Sequence, residues 1–408
     1  MAKIVPFKAV RPTRDKVSLV TSRSYDEYSP AELASQLEYN PFSFLHILNP
    51  AYVNLQKIST NTRFKAVHLK YEEFKEAQVL KKETENVLFL YEIESKHNTY
   101  TGIIAGASIA DYRNNVIKKH EDTLSYRVEY FKDYLYETGF NTEPVLITYP
   151  DQPALQDWIV KRKQKRPLYL FSSPNKDKHT LWRIKDPAEI AWLQQQFKGI
   201  NSLYIADGHH RSASANMLYE QEKSSGNENL NHFMSFLIPE SDLKIYEYNR
   251  IIHDLNKLSK TEFLDALSKD FTVKNRKQEL WKPDRKFSFG MYLDGEFYAL
   301  HLKETNFSTV YEALDARILY DKVLRPLLGI IDLRNDERIE YIPGSRPITN
   351  IKKMVDESEF EVGFMLCPPT IAEIKNLADN SLIMPPKSTY IEPKLRNGLV
   401  VYEITPDS

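Results

Sequence analysis

The sequence predicts an α+β protein built from mixed sheets with flanking helices. Two apolar hairpin patterns point there, one joining 86–94 to 99–107 and one inside 286–302. Helix-like stretches with apolar stripes are spread among these strands rather than gathered at one end. Finally, only 12 glycines are present and no G-x-G-x-x-G segment occurs, so a Rossmann reading loses ground.

From the N-terminus, 6–30 reads as extended. Ser29 and Pro30 then form a helix start, a polar cap followed by a proline in the first turn, for a helix over 30–39. The polar stretch 63–84 has Leu69, Tyr71, Phe74 and Leu80 as a helical stripe. A hairpin turns across Ser95-Lys96-His97-Asn98. The charged segment 110–137 reads as mostly helical. Strands follow at 144–149, 168–172 and 180–185, and a helix at 187–197. The apolar run 203–206 is a buried strand feeding a helix over 212–223. Beyond it, 232–239 and 244–252 read as strands and 261–270 as a helix. Asp294-Gly295 between apolar runs is a strong hairpin signal. The stretch 310–328 is amphipathic and helical, 360–366 a strand, 370–380 a helix and 399–404 a closing strand. A composition change near 240 suggests two regions, 1–240 and 241–408, both α+β.

The length of 408 residues suits two domains, or one large domain with an appended one. Apolar residues at 42% can form a substantial core, and 27% charged residues are ordinary. Lys and Arg total 55 against 56 Asp and Glu, so the net charge of -1 argues against a dedicated nucleic-acid binder. The basic run 161–166 reads as a solvated helix end or loop. The single cysteine, Cys367, lies in an apolar run, so it reads as a core residue; no disulfide framework can form within the chain. The first eight residues lack the apolar core of a signal peptide, and no apolar run spans a bilayer. These features suggest a cytoplasmic protein without membrane partners. Oligomeric state is not legible.

The densest chemistry lies in Asp207-Gly208-His209-His210-Arg211, between a buried strand and a helix. In one reading it handles phosphate. Amides from the helix start at Ser212 attract phosphate oxygens, Arg211 adds a fork-shaped cation, and Asp207 orients or deprotonates a hydroxyl or binds Mg²⁺. Gly208 permits close approach or an unusual backbone angle. A second reading is metal-dependent hydrolysis through His209 and His210, although adjacent histidines chelate poorly alone, or on His120, Glu121, Asp207 and His209. The third is structural, with Asp207 as a helix cap and the histidines bonded to buried carbonyls. His120-Glu121 is an acid/base candidate, and its bland alternative is a solvated charged helix. Lys387, Ser388 and Thr389, after Pro385-Pro386 and continuing to Pro393-Lys394, form an anion-binding candidate or an ordinary loop. No phosphate loop, nucleophile elbow or zincin helix occurs.

Taken together, these segments resemble the domain-of-unknown-function 1015 family (DUF1015) of bacteria and archaea. The resemblance rests on Pro6-Phe7-Lys8, Tyr25-Asp26, Asn40-Pro41 with Leu45-His46, Lys119-His120-Glu121 with Thr123, Ala206 to Arg211, and Met384 to Thr389 in that order. Ser22-Arg23-Ser24 stands where the family has a proline-rich approach to the Tyr-Asp pair, which places a role for Asp26 in doubt. The Asp-Gly-His-His-Arg segment also resembles the phosphate motif of the ParB/sulfiredoxin-like superfamily, including its free-serine kinase branch. That resemblance implies a ParB/sulfiredoxin-like core plus a second α+β region. It also implies a phosphotransferase interconverting serine and phosphoserine with ADP or ATP, and Mg²⁺ as a further candidate. The catalytic candidates are then Asp207, His120 and Glu121; the phosphate or nucleotide candidates are Gly208, His209, His210, Arg211, Ser212, Lys387, Ser388 and Thr389. A non-catalytic nucleotide-binding switch and a metal-dependent hydrolase are the alternatives.

Overall fold

The computed structural model describes residues 1–49, 59–357 and 359–406, with the side chain of Asp26 outside the described set. The chain divides into two compact units. The first comprises Met1–Lys119, Thr123–Leu243 and Pro393–Ser408; the second comprises His120–Asp122 and Lys244–Glu392. The main crossover falls at 243/244, and the last segment returns to the first unit.

The first unit is organised by a nine-stranded mixed sheet. Its order runs Ile117–Lys118, Leu203–Asp207, Val145–Tyr149, His232–Pro239, Thr99–Ser108, Leu88–Glu94, Lys178–Ile184, Tyr169–Ser172, with Ile4–Val5 also pairing Thr99–Ser108. Two of these pairings are parallel, Leu203–Asp207 with Ile117–Lys118 and His232–Pro239 with Val145–Tyr149. The central strands are buried along nearly their whole length, as expected for a sheet covered on both faces. Leu90, Ile103, Ile147, Ile205 and Leu237 lie in one core with Leu193 and Phe197 of the helix Pro187–Lys198. Burying each such side chain contributes roughly 1.5–3 kcal/mol.

The second unit has a seven-stranded antiparallel sheet. Its order is Phe271–Lys277, Glu296–Leu302, Ser288–Leu293, Val362–Met365, Lys244–Ile252, Ile339–Pro343, with Thr389–Glu392 on the other half of Lys244–Ile252. The hairpin at Asp294-Gly295 has φ of 46° and 75°, so both turn residues are left-handed, as a tight turn between twisted strands requires. The fold is α+β with mixed and antiparallel sheets, as the sequence predicts. Among the described residues no helix is long and apolar enough to cross a membrane.

Several helices follow their sequence signals closely. Pro30–Tyr39 starts with a reciprocal Ser29/Glu32 capping box, and Ile371–Asp379 with a Thr370/Glu373 box. Others correct the expectation. The segment 110–137 is not one helix: Asn115 takes φ of +56°, the strand Ile117–Lys118 follows, and the helix Ser125–Thr138 starts afresh. The stretch 63–84 is a helix only over Thr60–Glu76, giving way to the strand Leu80–Lys82. In 310–328 the helix Asp315–Leu319 widens, so that the Arg325 N–H reaches the Tyr320 carbonyl at 3.0 Å, five residues back. The closing strand is short, Tyr402–Glu403, paired with Phe140–Asn141. Cys367 is buried, and burial pushes its thiol up to about 11, which suits an inert core position.

Candidate functional site

Leu203, Tyr204, Ile205 and Ala206 are buried in the sheet, and the strand surfaces at Asp207. Its pairing with Val145–Tyr149 slips between Ile205 and Asp207, a bulge that turns the strand end out of register. Gly208 follows with φ of +97°. A Cβ built there would lie 3.0 Å from the Arg211 guanidinium, so both backbone angle and space select glycine. The helix His209–Glu222 begins at the next residue, with glycine at its cap position and so no cap side chain of its own. Asp207 thus directly precedes the positive end of a helix of 14 residues.

Two cations face that carboxylate. Arg211 Nη2 lies 3.0 Å and Lys394 Nζ 3.5 Å from Asp207 Oδ2. Burial pushes the Asp207 carboxyl up, but Lys394 and Arg211 outweigh it and hold the group below the usual carboxylate range. Arg211 is fixed from two further sides, donating to the Pro144 carbonyl at 2.5 Å and lying 3.5 Å from Glu143 Oε1. Lys394 arrives with the returning C-terminal segment, which Arg396 anchors by hydrogen bonds to Thr21 and Asn397 by backbone pairing with Ser22. The Asp207 side chain remains 40% exposed. A pair so open to water contributes only about 0–1 kcal/mol to stability. Fold maintenance is thus a weak reason for concentrating these charges.

The neighbouring candidates divide. His209 is buried, and burial lowers its pKa to about 3, with His210, Arg211 and Lys119 adding to the effect and Asp207 opposing it, so the ring is neutral. His210 Nε2 accepts a hydrogen bond from the Leu124 N–H at 3.1 Å, at the start of the helix Ser125–Thr138. That ring nitrogen serves the fold, by accepting from an amide where the structural reading of the motif expects a bond to a buried carbonyl. Ser212 is fully buried; its hydroxyl donates to the His209 carbonyl and its N–H to the Gly208 carbonyl, both at 3.0 Å. The expectation that Ser212 binds phosphate meets a side chain and amide already bonded inside the helix.

Arg211 also lines a cavity of about 450 Å³ within the first unit. One wall is aromatic: Phe64 of the helix Thr60–Glu76 and Tyr130, Phe131 and Tyr134 of the helix Ser125–Thr138. Phe64 meets the rings of Tyr130 and Tyr134 edge-on, each at 5.2 Å. Arg63 lies over the rings of Phe64 and Tyr130 at 5.6 and 5.7 Å. Polar groups of Asn141, Thr142 and Glu143 complete the lining near Arg211.

The second unit holds the remaining candidates and brings them together. The Met384 N–H donates to the His120 carbonyl at 2.9 Å, and Thr389 Oγ1 donates to Glu121 Oε1 at 3.2 Å. Ser388 is buried and donates to the Pro385 carbonyl at 2.7 Å, closing the loop on itself. Lys387 takes φ of +53°; its carbonyl accepts from the buried Arg250 at 3.2 Å, and its ammonium lies 5.3 Å from the centre of the Tyr248 ring. The Ser388 hydroxyl is thus committed to the loop, as the ordinary-loop reading expects.

Asp207 offers a divalent cation a poor donor set. Its carboxylate faces Lys394 and Arg211, so an Mg²⁺ held there by protein would meet two positive charges. Among the described residues no group of three or more His, Cys, Asp or Glu could hold a metal ion. The assignment of Mg²⁺ to Asp207 does not fit these surroundings.

Residues 4–317 match the family described as "Protein of unknown function (DUF1015)". The chain belongs to this family. Comparison of the DUF1015 chain with curated proteins returns no match. Among solved structures, a free serine kinase in complex with AMP is 15% identical, with a TM-score of 0.37, covering 75% of this chain and 94% of that one. A mutant of the free serine kinase in complex with ADP is 16% identical, with a TM-score of 0.38 and the same coverage. SbnI with a C-terminal truncation, from Staphylococcus aureus, is 13% identical with a TM-score of 0.38, covering 72% of this chain and 85% of that one.

The sequence points to Lys394 only as the end of a proline-rich run, and does not point to Glu143 or the aromatic wall at all. Phe64, Val67, Tyr71 and Phe74 share the periodicity of an ordinary core stripe, and three of them are just that. Phe64 and Val67 also line the cavity, which the stripe does not reveal.

Proposed function

We propose that this DUF1015 chain is a nucleotide-dependent phosphotransferase that interconverts free serine and phosphoserine, as a kinase or in reverse. The observation that carries the reading is the Asp207 carboxylate, flanked by Arg211 and Lys394 and placed directly before the N-terminus of a 14-residue helix. Such a helix start attracts phosphate oxygens, and two cations offset the charge that develops on a transferring phosphoryl group. The motif's resemblance to the free-serine kinase branch supports serine as the acceptor.

In the kinase direction the serine hydroxyl oxygen attacks the terminal phosphorus, and the bond from that phosphorus to the leaving nucleotide oxygen breaks. The hydroxyl proton passes to Asp207. A carboxylate held below its ordinary pKa is a weak base, so its work is to orient the hydroxyl and take the proton late, as the ester bond forms. Arg211 and Lys394 hold the equatorial oxygens. In reverse, Asp207 returns the proton to the departing serine oxygen. His209 stays neutral behind the carboxylate and Gly208 lets the substrate approach the backbone. The reading rests on the first unit's residues alone.

The test is a turnover assay on purified protein with serine and ATP, serine and ADP, and phosphoserine and ADP, followed by separation of serine from phosphoserine. Transfer in at least one pairing is expected. Equilibrium binding of nucleotide with no transfer in any pairing would replace the enzyme with a nucleotide-binding switch.

A further inference from the structure

The phosphotransfer reading assigns Asp207, Arg211 and Lys394, yet leaves the adjoining cavity without an occupant. Serine does not suit it. Serine has no apolar surface to set against Phe64, Tyr130, Phe131 and Tyr134, and a chamber of about 450 Å³ is of the size that takes a ligand of many more atoms. The lining is also mixed. Aromatic side chains are set in it together with Arg211 and Glu143, which lie 3.5 Å apart. A ligand with a flat ring, polar hydroxyls and an anionic group matches that chemistry.

We infer that this cavity is the nucleoside chamber of the protein, taking the base and ribose of a nucleoside phosphate whose phosphates run toward Arg211 and Asp207. This deepens the phosphotransfer reading and rests on it for the position of the phosphates. The aromatic wall packs against the base, an interaction open to any nucleobase because every base has a π-face. Glu143 is one-third exposed and adjoins Arg211, where a carboxylate can accept from ribose hydroxyls. Arg211 joins the two halves, since it touches Asp207 on one side and lines the chamber on the other.

The experiment compares binding of ADP, adenosine and inorganic tripolyphosphate to the wild type and to a Tyr130→Ala/Phe131→Ala double variant. Both rings are 38% exposed, so the double variant should keep its fold, which circular dichroism and thermal melting verify. The expected result is at least tenfold weaker ADP and adenosine binding in the double variant, with tripolyphosphate affinity unchanged. Equal ADP affinity in wild type and double variant would overturn the chamber, as would absence of adenosine binding to the wild type. The two readings fail separately. Adenosine binding that the double variant loses, with no phosphotransfer by the wild type, keeps the chamber and removes the enzyme. Phosphotransfer with an unchanged KM for nucleotide in the double variant keeps the enzyme and removes the chamber.

Discussion

The Asp207 cluster in the first unit and the Lys387–Thr389 loop in the other are similar as strings of polar residues, but their hydrogen bonds differ in kind. In the loop, the Ser388 hydroxyl closes onto the Pro385 carbonyl and the Thr389 hydroxyl onto Glu121. In the cluster, Ser212 and His210 are committed in the same manner, while Asp207, Arg211 and Lys394 meet one another at a partly open strand end. Polar density in a sequence does not separate the two cases. What separates them is whether each group's bonding capacity is met inside the fold or left toward a space that a ligand can enter.

The largest effect expected from breaking this contrast is kinetic. Lys394→Met removes a cation from the transferring phosphoryl group and should lower kcat about 10²-fold, the scale of losing one electrostatic stabiliser. It should also raise the Asp207 pKa, because Lys394 lowers it, and so move the acidic limb of the kcat/KM profile to higher pH. A pH–rate series on the variant reads both. An unchanged acidic limb would detach Lys394 from Asp207.

Buried groups in the two units should next pull stability in opposite directions with pH. In the first, burial lowers His179 and His209 to about 3 and His232 to about 4. The unfolded chain takes up these protons below about 6.5 and the folded chain does not. This contribution to stability is present above 6.5 and is lost as pH falls toward 3–4, at up to about 1.4 kcal/mol per pKa unit for each group. In the second unit, burial raises the Asp315 carboxyl to about 6. Here the folded state holds the proton longer than the unfolded one, so the contribution is full below about 4 and is lost as pH rises through 6. Denaturant unfolding of the wild type and of Asp315→Asn from pH 4 to 7 separates the two: the variant should lose the Asp315 contribution and keep that of the histidines.

Smaller still is the backbone effect at the strand end. Gly208→Ala forces a side chain into a left-handed conformation and against Arg211, and should cost about 1–3 kcal/mol by denaturant unfolding. At the lower end, Ser388→Ala removes one internal hydrogen bond and should cost about 1 kcal/mol. A Ser388→Ala variant that keeps its stability but loses nucleotide affinity would make the loop an anion site after all.

The α+β class and the main motif are legible in the sequence for physical reasons. Hairpin turns, capping boxes and buried strands are local, and Asp294-Gly295, Ser29/Glu32 and 203–207 each carry their signal within a few residues. Gly208 is legible too, because a glycine between a strand and a helix marks an angle that other residues avoid. What stays hidden depends on long-range closure. Lys394 reaches Asp207 only because the C-terminal segment returns to the first unit. Phe64 and Tyr134 share a wall through the pairing of two helices far apart in sequence. The break at Asn115 is masked because a charged run with helical periodicity outweighs one left-handed residue.

The most direct measurement of the central claim is a ³¹P NMR time course of phosphoserine with ADP, run on the wild type and on Asp207→Asn, with ADP affinity measured for both by calorimetry. The half-exposed Asp207 pair contributes little to stability, so the variant should fold normally and bind ADP. ATP resonances that grow with the wild type and not with Asp207→Asn, at comparable ADP affinity, are the predicted result. Equal growth with both proteins would contradict the role given to Asp207.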